Sequence, residues 1–483
     1  VDTLDIVDPA SGTTLATVDL AGPAQVDEAV RKARAAFPEW SRLPPAARGE
    51  ALLALAERVR SRADEYAMME SRQTGKTLRM ASEFDVPGSI DNAVFFAGAA
   101  RVLEGRASAE YDPDHTSVIR REPVGVVGSV APWNYPLQMA MWKILPAIAA
   151  GNTIVVKPAE ITPLTTVMLA EDARAAGIPE GVVNVVVGTG PVAGEALIGH
   201  PDVDMVSFTG STPIGKRVME IASSRAARVH LELGGKAPFV VFDDADLEAA
   251  VHGATAGALI NTGQDCTAAT RAYIQRPLYD AFVAGVSDLF AAIHIGDPRD
   301  PGVDMGSLVS RRQAERVAGF VDRARAEGAT VTVGGQIPGG DLASGAFYPA
   351  TVVTDAAQGS EIVRDEIFGP VLVVLPFDSD DEGLALANDT PFGLAASAWT
   401  TDVYRAQRAQ REIRAGCVWI NDHIPIVSEM PHGGMKQSGF GKDMSLYSLE
   451  DYTIVKHVSW DITGEARKGW HRTVFSDRSG TDR

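Results

Sequence analysis

Apolar and polar positions change rhythm along this chain. The opening Ile6–Leu20 is rich in β-branched residues around an Asp8–Pro9–Ala10–Ser11–Gly12 turn and reads as a hairpin. Val26–Phe37 and Ala46–Arg62 place apolar residues at helical spacing, and Pro44–Pro45 starts the second helix. Ser117–Arg121 is a short extended piece. From Val124 the texture alternates. Short β-rich runs at Val124–Val130, Thr153–Lys157, Val182–Val187 and Met205–Phe208 are separated by Ala-rich helices such as Thr162–Ala176 and Gly190–Ile198. A second series has strands at Phe239–Phe242, Ala272–Gln275, Val371–Phe377 and Cys417–Asn421. Its helices are Asp246–Ile260, Leu278–Ala292, Ser310–Glu327 and Asp380–Asn388. This order predicts an α/β fold of two parallel, doubly wound units with a site at their junction.

Composition bounds the picture without changing it. The chain has 483 residues, 45% hydrophobic and 22% charged, enough for two or three domains. Two cysteines exclude a disulfide framework and suit a reducing compartment. No basic start with an apolar stretch and no spanning apolar run is found, so a cytoplasmic location is expected. A net charge of −19 repels phosphate backbones and anionic membranes, which argues against nucleic acid or membrane partners. No candidate residue is assigned to a metal.

Three loops invite a phosphate. Gly210–Lys216 follows a strand and opens a helix, but Arg217 stands where a triphosphate loop needs a Mg²⁺-binding hydroxyl. That loop still offers a helix N-terminus to an anion. Gly75–Lys76–Thr77 ends like such a motif but has Glu70 at the first-glycine position. Gly188–Ala193 fits G-x-G-x-x-A and reads mainly as a tight βα turn. The loop Asn261–Cys266 carries one of the two cysteines beside a glycine. A thiol there is a candidate nucleophile, although free cysteines more often serve as small buried hydrophobes.

Six motifs then fall in one order: Pro132–Pro136 (PWNYP), Lys157–Glu160 (KPAE), Phe208–Ser211 (FTGS), Leu231–Lys236 (LELGGK), Gly263–Cys266 (GQDC) and Glu366–Pro370 (EIFGP). The ordered set resembles the aldehyde dehydrogenase superfamily. Gly263–Ala268 (GQDCTA), Val427–Gly434 (VSEMPHGG) and Gly441–Thr453 look like the wording of bacterial γ-aminobutyraldehyde dehydrogenases. The resemblance implies a Rossmann-like NAD-binding domain (1–105 and 124–234) and a catalytic domain (235–437). It further implies a β oligomerisation extension (106–123 and 438–465) and a tail (466–483). It also implies a homodimer or homotetramer.

The residue roles that follow are those of the resemblance. Cys266 attacks an aldehyde; Asn134 and the Cys266 backbone N–H receive the oxyanion; Glu232 activates the water that hydrolyses the thioester; Lys143 lies nearby. For NAD, Lys157 and Glu160 hold the adenosine ribose, and Glu160 disfavours the 2′-phosphate of NADP by like charge. Gly210 and Ser211 meet the pyrophosphate, Glu366 the nicotinamide ribose, and Phe368 and Trp133 the nicotinamide end. Asp443 stands where the family often has a Glu, which leaves its proton-relay role open. For an amine-bearing aldehyde, Tyr135 and Trp142 offer ring faces, and Asp85, Asp265 and Glu429 offer carboxylates. His432 replaces a tryptophan common in betaine-aldehyde enzymes and is expected to be a loop hydrogen-bonder; Cys417 is expected in the core. The substrate expected is 4-aminobutanal, with betaine aldehyde or a broad range of aliphatic aldehydes as the alternative. The retained Glu232 argues against an acylating, coenzyme A-dependent variant.

Overall fold

Strands buried on both faces need helices above and below, and their sequences run apolar without alternation. Thr153–Lys157 and Ala237–Val241 are buried at every position and belong to two such sheets. The computed structural model describes residues 2–103 and 108–475. The first sheet has six strands in the order Gly439–Phe440, Arg228–Leu233, Met205–Gly210, Val126–Val130, Thr153–Lys157, Val183–Val185. The second has seven: Thr330–Val333, Thr351–Thr354, Val371–Phe377, Ala269–Gln275, Ala237–Val241, Ala395–Trp399, Cys417–Ile420. Both are parallel except at one edge, where Gly439–Phe440 and Thr330–Val333 run antiparallel to their neighbours.

Departures from the expected map are local. Thr330–Val333, Thr351–Thr354 and Ala395–Trp399 were not expected as separate sheet strands. Ala395–Trp399 (AASAW) is built of small residues that carry little strand signal. Gly190–Ile198 forms a π-helical turn and a four-residue α-helix rather than one helix. The hairpin Thr3–Val7 and Thr14–Asp19 forms as expected. Thr453–Asp461 pairs with His115–Pro123, which pairs with Ala109–Asp112 in a separate antiparallel sheet. Residues 104–107 and 476–483, which include part of the expected extension and tail, lie outside the described residues. Within 438–465, Gly439–Phe440 joins the six-stranded sheet instead, because the edge of Arg228–Leu233 is open to it. No helix among the described residues is long and apolar enough to cross a membrane.

Two features position the site. Helix Pro136–Ala150 is buried at all fifteen positions, so its polar members Gln138 and Lys143 must find partners inside. The chain also passes directly from the C-terminal end of Arg228–Leu233, through Gly234–Lys236, to the N-terminal end of Ala237–Val241. The carboxyl ends of the first sheet therefore face the amino ends of the second. A crevice at the carboxyl ends of parallel strands is where open α/β sheets take ligands.

Candidate active site

Cys266 lies in the connection between helix Leu247–Leu259 and strand Ala269–Gln275. Asn261, Thr262 and Gly263 take left-handed φ values of 49°, 58° and 68° in succession. Gly263 is required, since a Cβ there would fall 2.2 Å from the carbonyl carbon of Gly369. Thr262 is β-branched and strained in this conformation. Side-chain amides hold the turn. Asn261 Nδ2 donates to the carbonyls of Asn134 and Gln264 at 2.9 and 3.1 Å, and Asn134 Nδ2 donates to that of Gln264 at 3.1 Å. These bonds tie the Asn134 loop to the cysteine loop across the junction.

A cavity of about 680 Å³ opens there. Cys266, Asn134, Glu232, Glu366, Trp133, Phe368, Gly210, Ser211, Tyr135, Trp142 and Asp265 all line it. Trp133 and Phe368 meet edge to face with centroids 5.2 Å apart. Phe368 is held at φ 61°, and its carbonyl accepts a 2.7 Å bond from Gln313 Nε2. Gly210 and Ser211 lead into helix Thr212–Ser223, whose N-terminus faces the cavity.

Burial raises the pKa of three groups at the junction. Burial, then the carboxylates of Asp265, Glu366 and Glu232, push the Cys266 thiol well above its ordinary range. Glu232 is buried with no hydrogen bond to either oxygen. Burial, then Asp443, pushes its carboxyl well above the usual range. Glu366 is pushed up to about 7 by burial, although its Oε1 accepts the Gly235 N–H at 2.9 Å. A Cβ on Gly234 would fall 2.2 Å from Glu366 Oε2, so any side chain there would displace that carboxylate.

His432 corrects an expectation. Its backbone exchanges 2.9 and 2.8 Å bonds with Asp443, but its ring Nδ1 has no hydrogen-bond partner and lies 3.8 Å from Glu232 Oε2. The ring packs on Trp142 at 5.0 Å, and burial lowers its pKa. Lys143 is fully buried. It lies behind the cavity wall and donates to both oxygens of Asp443 at 3.0 and 2.8 Å. Aspartate at 443 is thus long enough to reach it, and Asp443 lines the cavity.

Two expected substrate carboxylates are elsewhere. Asp85 is buried against the Lys76 ammonium and does not line the cavity, because the ion pair draws it inward. Glu429 is exposed on the loop surface and lines no part of the cavity. Asp265 does line it. Its Oδ2 accepts the Tyr135 hydroxyl at 2.6 Å, and its Oδ1 accepts Thr267 N and Oγ1 at 2.7 and 2.6 Å. Lys76 Nζ sits 4.1 Å from the Tyr135 ring centroid, so one face of that ring already carries an ammonium.

Lys157 and Glu160 stand outside the cavity at the carboxyl edge of the first sheet. Lys157 Nζ donates to the carbonyls of Pro158 and Gly188 at 2.7 and 3.1 Å and faces Glu160 at 3.5 Å. Cys417 corrects another expectation: it is half-buried on the sheet-edge strand Cys417–Ile420, not in the core, and burial pushes its thiol up to about 11. Met139, Ile424 and Ile426 also line the cavity and were not singled out from sequence. Apolar side chains carry no chemical signature; only the positive φ of 86° at the β-branched Ile424 marks it, and that is a property of the fold.

The sequence model of the aldehyde dehydrogenase family matches residues 2–458. The chain belongs to the aldehyde dehydrogenase family. It is 42% identical over 456 residues to the betaine aldehyde dehydrogenase of Mesorhizobium japonicum, covering 94% of this chain and 93% of that protein. A crystal structure of a putative aldehyde dehydrogenase from Burkholderia cenocepacia superposes with a TM-score of 0.95 at 40% identity, covering 97% and 96% of the two chains. Betaine aldehyde dehydrogenase from Staphylococcus aureus, solved in complex with NAD⁺, superposes with a TM-score of 0.95 at 38% identity, covering 97% and 93%. The aldehyde dehydrogenase fold of this chain accounts for the pairing of a mostly parallel six-stranded sheet with a mostly parallel seven-stranded one.

Proposed function

We propose that this aldehyde dehydrogenase oxidises a primary ω-aminoaldehyde, 4-aminobutanal, to the amino acid with NAD. The observation that carries the substrate is Asp265. It is a carboxylate on the cavity wall, next in sequence to Cys266, and among the described residues no cation pairs with it. A primary ammonium can donate to it directly, and a charge-assisted hydrogen bond is worth roughly 1.5–3 kcal/mol.

Cys266 is the nucleophile in this reading. Its thiol must lose a proton as it attacks, since the site disfavours a standing thiolate. Asn134 Nδ2 turns from Gln264 O toward the oxyanion, joined by the Cys266 N–H. NAD, when bound, accepts the hydride. The chain has places for it: the open N-terminus of helix Thr212–Ser223 for the pyrophosphate, the unpartnered buried hydroxyl of Thr209 beside it, and a side-chain-free Gly234 beside Glu366. Lys157 and Glu160 take the adenosine ribose. Glu232 then draws a proton from the water that hydrolyses the thioester.

A second reading, betaine aldehyde, is favoured by the relative at 42% identity. A trimethylammonium cannot donate a hydrogen bond and depends on aromatic faces. Here Lys76 occupies one face of Tyr135 and His432 packs on Trp142. We also propose that the free edge of Thr453–Asp461, with Ile454, Val455 and Trp460 exposed, is covered by a second copy in a homodimer or homotetramer.

The test compares kcat/KM for 4-aminobutanal, betaine aldehyde and butanal in the parent and in Asp265→Asn. The substitution is expected to lower the 4-aminobutanal value about tenfold to a hundredfold and to spare butanal. Equal parent values for 4-aminobutanal and butanal would remove amine recognition.

A further inference from the structure

His230 is a buried titratable group that the chemistry above does not use. It sits two residues before Glu232 on strand Arg228–Leu233, so both side chains leave the same face of the strand. It is 1% exposed. Its two ring nitrogens face two different carboxylates. Nε2 lies 3.2 Å from Asp443 Oδ1, and Nδ1 lies 3.4 Å from Asp451 Oδ2. Neither contact has the geometry of a settled hydrogen bond, so both nitrogens are unsatisfied. A buried imidazole in that condition is costly unless it serves something.

The two carboxylates differ in where they lead. Asp443 is buried, bound by Lys143, and lines the same cavity as Glu232. Asp451 has a 32% exposed side chain and is met from solvent by Arg228 at 3.5 Å. The Tyr452 ring lies 6.1 Å from the imidazole, and its hydroxyl is bound to Ser207. Lys442 acts on Glu232 from the neighbouring loop. The line from cavity wall to surface therefore runs Asp443, His230, Asp451.

Oxidation of an aldehyde with water and NAD releases a carboxylate, NADH and two protons. One proton comes from the thiol and one from the water, and both must leave the cavity. We propose that His230 conducts protons from the Lys143–Asp443 pair to Asp451 and so to solvent. This rests on the aldehyde oxidation proposed above. A proton released by Glu232 into the cavity reaches Asp443. His230 takes it at Nε2 and gives up its Nδ1 proton to Asp451 Oδ2, from which water removes it. A ring flip restores the starting tautomer. No atom is lost or gained by the chain over the cycle. His230 is a positioning and conducting residue; it touches neither aldehyde nor cofactor.

The test follows NADH fluorescence and an indicator dye together, by stopped flow in weak buffer, after mixing full-length enzyme and NAD with butanal. Butanal keeps the result independent of amine recognition. His230→Gln keeps a polar side chain of similar size; Asp451→Asn alters the surface end only. In both, the NADH burst is expected within twofold of the parent. Release of the second proton should slow about tenfold in His230→Gln and about threefold in Asp451→Asn, with recovery when imidazole buffer is added. Parent-like proton release in Asp451→Asn, the variant least able to disturb folding, overturns the proposal. So does an equal slowing of burst and proton release, which marks a structural role. Absence of any NADH formation in the parent would instead remove the oxidation reading itself.

Discussion

Two lysine–aspartate pairs are buried near the cavity, and they behave differently. Lys76 and Asp85 are sealed from the cavity, with one Asp85 oxygen bound and Oδ1 bare. Lys143 serves both oxygens of Asp443, and His230 adds a third contact. Burial therefore wins at Asp85, whose carboxyl is pushed up to about 6, despite Lys76. At Asp443 the Lys143 ammonium and the contact with the His230 ring win over burial, and its carboxyl is held far below the usual range. The same two side chains make a structural plug in one place and a carboxylate on the cavity wall in the other. The count of donors decides the sign, not burial.

Breaking each pair from the lysine side should separate them most. Lys76→Met strands a carboxylate in the core and is expected to cost about 3–5 kcal/mol in urea unfolding. Lys143→Met should cost clearly less, because His230 and the cavity still serve Asp443. Its penalty falls on chemistry: hydrolysis of the acyl-enzyme about a hundredfold slower in rapid-quench measurements, with the NADH burst kept. Equal stability losses would erase the distinction. Lys76→Met combined with Asp85→Leu should recover most of the loss, to within about 1 kcal/mol of the parent, since a sealed ion pair is replaceable by apolar packing.

Acid should sharpen the contrast more gently. Asp85 has a raised folded pKa, so folding favours its neutral form. Its contribution is most favourable below the ordinary value of 3.8 and declines as pH rises toward about 6. Asp443 has a lowered folded pKa, so its contribution is present above 3.8 and is lost on acidification below it. Thermal melts between pH 4 and 6 should therefore decline less in Asp85→Asn than in the parent. Melts below pH 4 should lose part of their acid sensitivity in Asp443→Asn.

Much of this was legible in the residues, and the exceptions share a cause. Runs such as Thr153–Lys157 and Val371–Phe377 are strands at the expected positions, because a strand buried on both faces has only apolar choices. The tight loop at Cys266 was legible from Gly263. Asp85 was not: an acid nine residues after a lysine looks the same in sequence whether it aims at a ligand or at that lysine. His230 was invisible because its partners lie 213 and 221 residues further along the chain. Glu429 failed for the opposite reason, as a polar loop residue has nothing local to say which way it faces. Ala395–Trp399 escaped because small residues fill an inner strand without announcing it.

The central claim is that Cys266 forms a covalent acyl-enzyme whose release needs Glu232. Stopped-flow mixing of Glu232→Gln with NAD and saturating 4-aminobutanal tests it. A burst of one NADH per Cys266 followed by near-complete arrest is predicted. Steady turnover without arrest, or no burst at all, would contradict it.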